Sequence, residues 1–162
     1  MRRDSTNLLT LKNFFLVGAL VLYQIGTSLY PLLSPLLGFF FCYGVLLKER
    51  EYKTLQTYDT ERYFILGYIV FIELNKGFYL FSTLVFFIFF YAMVVDWMKS
   101  AFKCRSCILV AFVVSGYLGV YAVNNLLAYI VSQPFYRLEW EYGLYILIDA
   151  LLAIVFFRDR IL

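Results

Sequence analysis

Six apolar runs fill most of this chain, and the polar stretches between them are too short to form a separate domain. Hydrophobic residues make up 63% of its 162 residues and charged residues only 15%, whereas a soluble globular domain holds about 45–50% and about 25%. The hydrocarbon core of a bilayer is about 30 Å thick, and each helical crossing needs roughly 20 apolar residues. The sequence therefore predicts a membrane protein with no more than about six crossings.

The apolar runs predict an all-α, polytopic protein with six transmembrane segments in a single integral membrane domain, residues 1–162. The approximate bounds of these segments are 13–30, 31–47, 63–74, 77–95, 107–131 and 142–157. Pro31 and Pro35 each remove a backbone donor and disfavour helix in the residue before them, so we expect a tight hairpin between the first two segments. The sequence ELNKG, from Glu73 to Gly77, predicts the turn after the third segment. That segment is then too short to cross upright at about 1.5 Å per residue.

The distribution of basic residues predicts the topology, because cytoplasmic loops collect Lys and Arg. With six crossings and a cytoplasmic N-terminus, 12 of the 14 basic residues lie on the cytoplasmic side: Arg2, Arg3, Lys12, Lys48, Arg50, Lys53, Arg62, Lys99, Lys103, Arg105, Arg158 and Arg160. A single crossing between residues 63 and 95 would place the basic loops 48–62 and 96–105 on opposite faces. We therefore predict a multi-pass inner-membrane protein with both termini in the cytoplasm.

The region around the predicted turn carries a family resemblance. Residues 67–82 read GYIVFIELNKGFYLFS, an apolar segment that ends in an acidic residue, followed by a glycine-containing turn and the next apolar segment. Together with Pro31, Pro35 and the basic loop after the second segment, this order resembles the rod shape-determining protein MreD. The resemblance covers most of the chain.

The resemblance implies a six-helix membrane partner of MreC. Through MreC it implies contact with a RodA-type polymerase and a penicillin-binding transpeptidase in lateral peptidoglycan synthesis. MreD is also similar in plan to the substrate-binding subunits of energy-coupling-factor transporters, so a subunit that binds a small vitamin-type molecule is the alternative function.

Glu73 is the residue that we single out first. An ionisable group inside a membrane segment is a functional candidate, whereas a carboxylate at a segment end is also a common interface residue, and both interpretations stay open. Lys76 is its predicted partner at i+3. We expect the two side chains to fix the turn and the turn to present Gly77 to a neighbouring helix.

Asp149 lies near the middle of the last segment. A carboxylate at the bilayer centre costs about 2.5–3.5 kcal/mol on insertion scales, so we expect Asp149 to face the bundle interior. Asn124 and Asn125 of the fifth segment are its candidate contacts. A structural polar contact and a ligand or proton site are the two interpretations.

Two further features are candidates for packing or partner binding. Ser115, Gly116 and Gly119 place small residues at three- and four-residue spacing, which lets another helix approach closely. The outer loop, residues 133–141, contains Arg137 and Trp140, and it is large enough to contact the periplasmic domain of a partner. A simple interfacial loop is the other interpretation.

The sequence offers little for catalysis, because it contains no histidine, the usual general base near neutral pH. Cys104 and Cys107 have the CxxC spacing, but a zinc site needs four ligands and cytoplasmic thiols stay reduced. We therefore expect a non-enzymatic protein with no metal, cofactor or nucleic-acid partner. A membrane scaffold of the cell-elongation complex is the predicted function.

Overall fold

The computed structural model describes the backbone of residues 3–137 and 139–157, and side chains from Phe15 onward except Leu16 and Leu138. The regular secondary structure of this part of the chain is all helical, with no strand, so the all-α prediction is confirmed. The helices are α1 (Arg3–Leu29), α2 (Leu37–Thr54), α3 (Asp59–Lys76), α4 (Ser82–Met93), α5 (Val95–Ala101), α6 (Arg105–Ile130) and α7 (Glu141–Phe157). Arg2, Arg158 and Arg160 of the predicted cytoplasmic set lie outside the described residues, and the side chains of Arg3 and Lys12 are not described.

One end of the helical bundle brings two polar connections together, and we call it the basic end. Residues 55–58 join α2 to α3 there, and residues 102–104 join α5 to α6. Lys99 Nζ lies 2.5 Å from Glu49 Oε2, and the Tyr91 hydroxyl donates to Glu49 Oε1 at 3.3 Å. The basic loops on either side of α3 and α4 therefore meet at one end, as the turn between these helices requires.

The opposite end of the bundle holds the other connections, and we call it the loop end. The Ser28 hydroxyl of α1 donates to Asn75 Oδ1 of α3 at 2.6 Å. The Tyr136 hydroxyl, between α6 and α7, donates to the Gly77 carbonyl at 2.5 Å. Since α1, α3 and α6 all end here, the helices run alternately up and down, and α5 continues from α4 after a bend.

The third helix is longer than predicted. We expected a short helix over residues 63–74, but α3 has 18 residues and begins at Asp59. The polar residues that the sequence analysis placed in the loop form its first turn, where Asp59 and Glu61 interact favourably with the helix dipole. Arg62 Nη2 also lies 2.5 Å from Asp59 Oδ1. The prediction of a short third helix was therefore wrong.

The second and fourth segments begin later than predicted. Helix α2 starts at Leu37 rather than residue 31, after the stretch with Pro31 and Pro35 and after Leu36, which has φ 59°. Helix α4 starts at Ser82 rather than residue 77. The α4 and α5 axes differ by 54°, so the run 77–95 is not one straight helix.

Helix α6 lies at the centre of the described bundle and contacts α2, α4 and α7. The small residues predicted to allow close approach serve this packing: a Cβ added at Gly116 would lie 3.0 Å from the Phe41 ring, and one at Gly119 would overlap the Phe86 ring. Ser115 beside them is half-buried. Both glycines therefore face helices of this same chain.

Of the described helices, α6 alone is long and apolar enough to cross a bilayer unaided. The bent pair α4 and α5 provides a second such span if the two helices are counted as one.

Replacing Gly119 by Ala tests this packing. Phe86 stacks on Phe41 with 5.5 Å between ring centroids and contacts Phe90 at the same separation, so its ring has little room to move. Overpacking costs typically about 1–3 kcal/mol, and we expect a lower thermal unfolding midpoint in detergent. Gly67→Ala is the matched control, since an added Cβ there meets nothing within 4 Å. Equal midpoints for the two variants would contradict the packing.

Candidate functional site

The described interior contains polar side chains as well as the aromatic core. Eight polar or charged residues are buried: Gln24, Thr27, Ser34, Glu73, Ser82, Thr83, Asn124 and Asp149. Two of them are carboxylates, which are rarely fully buried unless they are paired. Each carboxylate is the centre of a hydrogen-bonded cluster.

The first cluster surrounds Asp149 of α7, which is fully buried, as its position in the last apolar run predicted. Oδ1 accepts a hydrogen bond from the Ser34 hydroxyl. Oδ2 accepts one from the Tyr117 hydroxyl at 2.9 Å and one from the Phe39 amide at 3.1 Å. The carboxylate thus joins α7 to α6 and to the beginning of α2.

The contact with Phe39 is a helix cap provided by another helix. The first amides of a helix have no partner within it, and α2 begins inside the bundle after Leu36, whose side chain has no cap to offer. Asp149 supplies the missing acceptor. The carboxyl group also lies at the positive end of the α2 dipole.

Ser34 extends the cluster to α1. Its hydroxyl accepts from the Leu36 amide at 3.2 Å, and its carbonyl accepts from the Tyr23 hydroxyl at 2.9 Å. The Tyr145 hydroxyl of α7 donates to the Pro31 carbonyl in the same connection. The segment between α1 and α2 is therefore held from two sides.

The second cluster surrounds Glu73 of α3 and repeats this arrangement at α4. Oε2 accepts from the Phe81 amide at 2.7 Å. Oε1 accepts from the Thr83 amide at 2.7 Å and from the Ser82 hydroxyl at 3.0 Å. As at α2, the residue before the helix has a positive φ, 65° at Phe81. A buried carboxylate from a neighbouring helix again caps a helix that starts inside the protein.

Asn124 connects this second cluster to α6. Its Nδ2 donates to Ser82 Oγ at 2.9 Å and to the Val120 carbonyl at 2.8 Å. Its Oδ1 accepts from the Tyr79 amide at 2.8 Å. The turn between α3 and α4 is therefore fixed to the central helix as well as to Glu73.

The predicted pairing of Glu73 with Lys76 was wrong, because the amides of α4 occupy the carboxylate. Lys76 Nζ instead donates to the Thr27 carbonyl at 2.9 Å. Within the described part of this chain no helix packs on Gly77, since a Cβ there would meet nothing within 4 Å, and contact of Gly77 with a helix of a partner stays a prediction. Gly77 ends α3 with φ 70°, a conformation that glycine adopts without strain.

The predicted contact of Asn124 and Asn125 with Asp149 was wrong as well. Tyr117 is the α6 residue at the level of Asp149, and Asn124 lies seven residues further along, roughly 10 Å at about 1.5 Å per residue. Asn125 faces the outer loop, where its Oδ1 accepts from the Tyr136 amide at 2.8 Å.

The outer loop borders a cavity of about 440 Å³ at the loop end of the bundle. Charged side chains line it: Lys76, Arg137, Glu139 and Glu141. Arg137 is exposed at the rim, and Trp140 is 72% exposed. Both residues predicted for partner contact are therefore accessible in this chain.

Cys104 lies at the basic end as the N-cap of α6, where its Sγ accepts from the Cys107 amide at 3.4 Å. Hydrogen bonds from the Cys107 thiol and amide hold the pKa of Cys104 below its ordinary value. Both thiols are exposed. Their arrangement caps the helix without needing a metal.

Sequence reasoning missed Ser34 and Tyr117, which hold Asp149. Ser34 is a hydroxyl residue between two prolines, and Tyr117 lies within the small-residue stretch of α6. Neither feature is distinctive in a chain that is rich in aromatic residues. Tyr136 was expected in the outer loop as part of a partner surface, and its hydrogen bond to the Gly77 carbonyl was not predicted.

Comparison of the chain with protein-family models, curated proteins and solved structures returned no match. The interpretation of the site therefore depends on its geometry.

Replacing Glu73 by Leu tests the capping function. The amides of Phe81 and Thr83 lose their acceptor, and each unsatisfied buried group costs about 1–3 kcal/mol. We expect faster amide hydrogen exchange confined to the start of α4, measured by mass spectrometry in detergent. Glu73→Gln, which keeps one acceptor oxygen, is expected to have a smaller effect.

Asp96→Leu is the control for this experiment, because the Asp96 side chain is 91% exposed. We expect Asp96→Leu to leave amide hydrogen exchange in α4 unchanged. Unchanged exchange at residues 81–83 in Glu73→Leu would contradict the cap.

Proposed function

We propose that the chain is a multi-pass inner-membrane scaffold similar to MreD, with six crossings and both termini in the cytoplasm. The observation that carries the proposal is an apolar outer surface around an interior that contains two buried carboxylates. Both buried carboxylates are inside, whereas large apolar residues on the outer faces of several helices are exposed: Leu22 of α1, Ile88 of α4, Leu126 of α6, and Leu151 and Val155 of α7. Such a surface is costly in water and suits lipid.

The length of α3 is compatible with this placement. Helix α3 has 18 residues, about 27 Å at about 1.5 Å per residue, against a hydrocarbon core of about 30 Å. The charged turns that make α2 and α3 less apolar, from Lys48 to Arg62, lie at the basic end. There they reach the headgroup layer, where cations are favoured on the cytoplasmic side.

A scaffold role agrees with the chemistry of the interior. The oxygens of Glu73 and Asp149 accept hydrogen bonds that hold helix beginnings, so these carboxylates are engaged in structure. The proposed partner is an MreC-like membrane protein, with a RodA-type polymerase and a penicillin-binding transpeptidase in the same elongation complex. The contribution of the chain is then a coupling free energy between partners in one bilayer.

A second candidate function is a substrate-binding membrane subunit of a vitamin-type transporter. The cavity of about 440 Å³ at the loop end favours it, because this volume lies within the usual range of about 300–1,000 Å³ for small-molecule sites. Its charged residues of both signs suit a polar ligand.

Co-purification with an MreC-like partner tests the scaffold function. Trp140 is 72% exposed in the outer loop and Trp97 is 65% exposed at the basic end, so neither is needed for the core. We expect Trp140→Ala to lower recovery of the partner about tenfold, as truncation of an aromatic anchor does. Trp97→Ala is the matched control and retains recovery.

No partner recovery with the unmodified chain would contradict the scaffold. Recovery of an ATP-binding coupling subunit in its place would support the transporter function.

A further inference from the structure

Two free thiols lie together at the beginning of α6, Cys104 and Cys107, and we call them the thiol pair. Cys104 is the N-cap of the helix, and Cys107 follows it by three residues. Cys104 Sγ accepts a hydrogen bond from the Cys107 amide at 3.4 Å, so it lies against the backbone of the second cysteine. Both side chains are exposed. The pair is therefore accessible to a reagent in solution.

The spacing of the thiol pair suits a bond between the two sulfurs. A disulfide requires Cα atoms about 4.4–6.8 Å apart. Residues one turn apart at a helix terminus meet this requirement, since three residues advance roughly 4.5 Å along the helix axis. The Cys107 thiol already donates a hydrogen bond to Cys104. We expect an internal disulfide to form by rotation of the two side chains within this one turn.

The surroundings of Cys104 favour its thiolate, which is the form that reacts. The first amides of α6 point towards it, and the helix dipole places partial positive charge there. The first turn of α6, which the structure describes in full, contains no acidic residue, and Lys103 and Arg105 flank the cysteine. Hydrogen bonds from Cys107 also hold the pKa of Cys104 below its ordinary value. Cys104 is therefore the candidate nucleophile of the pair.

Neither a metal site nor a helix cap alone accounts for the thiol pair. Zinc needs four ligands, and within the described residues no group of three or more cysteine or carboxylate side chains could hold a metal ion. Serine, threonine, aspartate and asparagine are the favoured N-caps. Capping by Cys104 also uses only the Cys107 amide, and it leaves the second thiol without a role.

We propose that the thiol pair is a redox-active dithiol that reduces a small disulfide of the glutathione type by thiol–disulfide exchange. The Cys104 thiolate bonds to one sulfur of the disulfide, and the other sulfur leaves as a thiolate. The Cys107 sulfur then bonds to Cys104 Sγ and displaces the second small thiolate. Each leaving thiolate takes up a proton, one that Cys104 had released to solvent and one from Cys107. The reaction thus yields one internal disulfide and two small thiols.

The proposed location suits a reversible reaction. With the basic end in the cytoplasm, the surrounding thiol pool keeps cysteines reduced, and disulfides are transient. The helix dipole stabilises the reduced thiolate form of the pair, so its disulfide is readily reduced again. The exchange itself goes beyond the scaffold function, since it depends on the two exposed thiols and needs neither six crossings nor a partner.

Mass spectrometry of the full chain in detergent, after treatment with oxidised glutathione, tests the proposal. We expect the unmodified chain to lose two hydrogen atoms and retain no glutathione, because Cys107 displaces it. Cys107→Ser is expected to retain one glutathione on Cys104. Cys104→Ser is expected to acquire glutathione several-fold more slowly, because the helix terminus favours the thiolate at position 104. Cys42, buried in α2, is the internal reference and stays unmodified.

The two single variants are matched in structure. Cys104→Ser keeps a favoured N-cap side chain, and Cys107→Ser keeps a hydroxyl that can donate to Cys104. Equal rates of glutathione capture by these variants would overturn the assignment of Cys104 as the nucleophile.

Glutathione retained on the unmodified chain without an internal disulfide, or no reaction at all, would overturn the redox pair. Recovery of an MreC-like partner does not enter this measurement. Failure of the scaffold function and failure of the redox pair are therefore observed separately.

Discussion

Two helices of this protein begin inside the bundle, and the rest of the structure depends on how their first amides are satisfied. In an apolar interior each unpaired amide costs several kcal/mol, and water is absent from the core of a bilayer. Asp149 of α7 accepts from Phe39 at the start of α2, and Glu73 of α3 accepts from Phe81 and Thr83 at the start of α4. Each carboxylate thereby fixes the position of one helix relative to another.

These caps connect the fold to the proposed function. Because the polar groups are engaged inside, the outer faces of the helices remain apolar, and in the proposed function they contact lipid or partner helices. The reversal between α3 and α4 brings the two basic loops together, with Lys99 paired to Glu49. The same reversal places α2, α3 and α4 side by side.

The sequence predicts the coarse structure well, because apolar runs and prolines act locally. The helical fold, the interior position of Asp149 and a turn after Glu73 all follow from such local signals. The hydrogen-bond partners do not follow from local signals. Glu73 accepts hydrogen bonds from backbone amides at the start of the next helix, and a backbone amide is not marked by any particular residue type. Likewise, Asp149 contacts Tyr117 rather than Asn124 because of how α6 and α7 pack against each other. The length of α3 was misjudged because charged residues formed its first turn.

The six-crossing arrangement is tested most directly by the accessibility of single cysteines. With Cys104 and Cys107 replaced by Ser, Lys53→Cys, Lys103→Cys and Gln133→Cys are each labelled with a membrane-impermeant maleimide in spheroplasts and in inverted vesicles. Our account predicts labelling at positions 53 and 103 in inverted vesicles alone, and at position 133 in spheroplasts alone. Labelling of positions 53 and 103 from opposite sides of the membrane would contradict it.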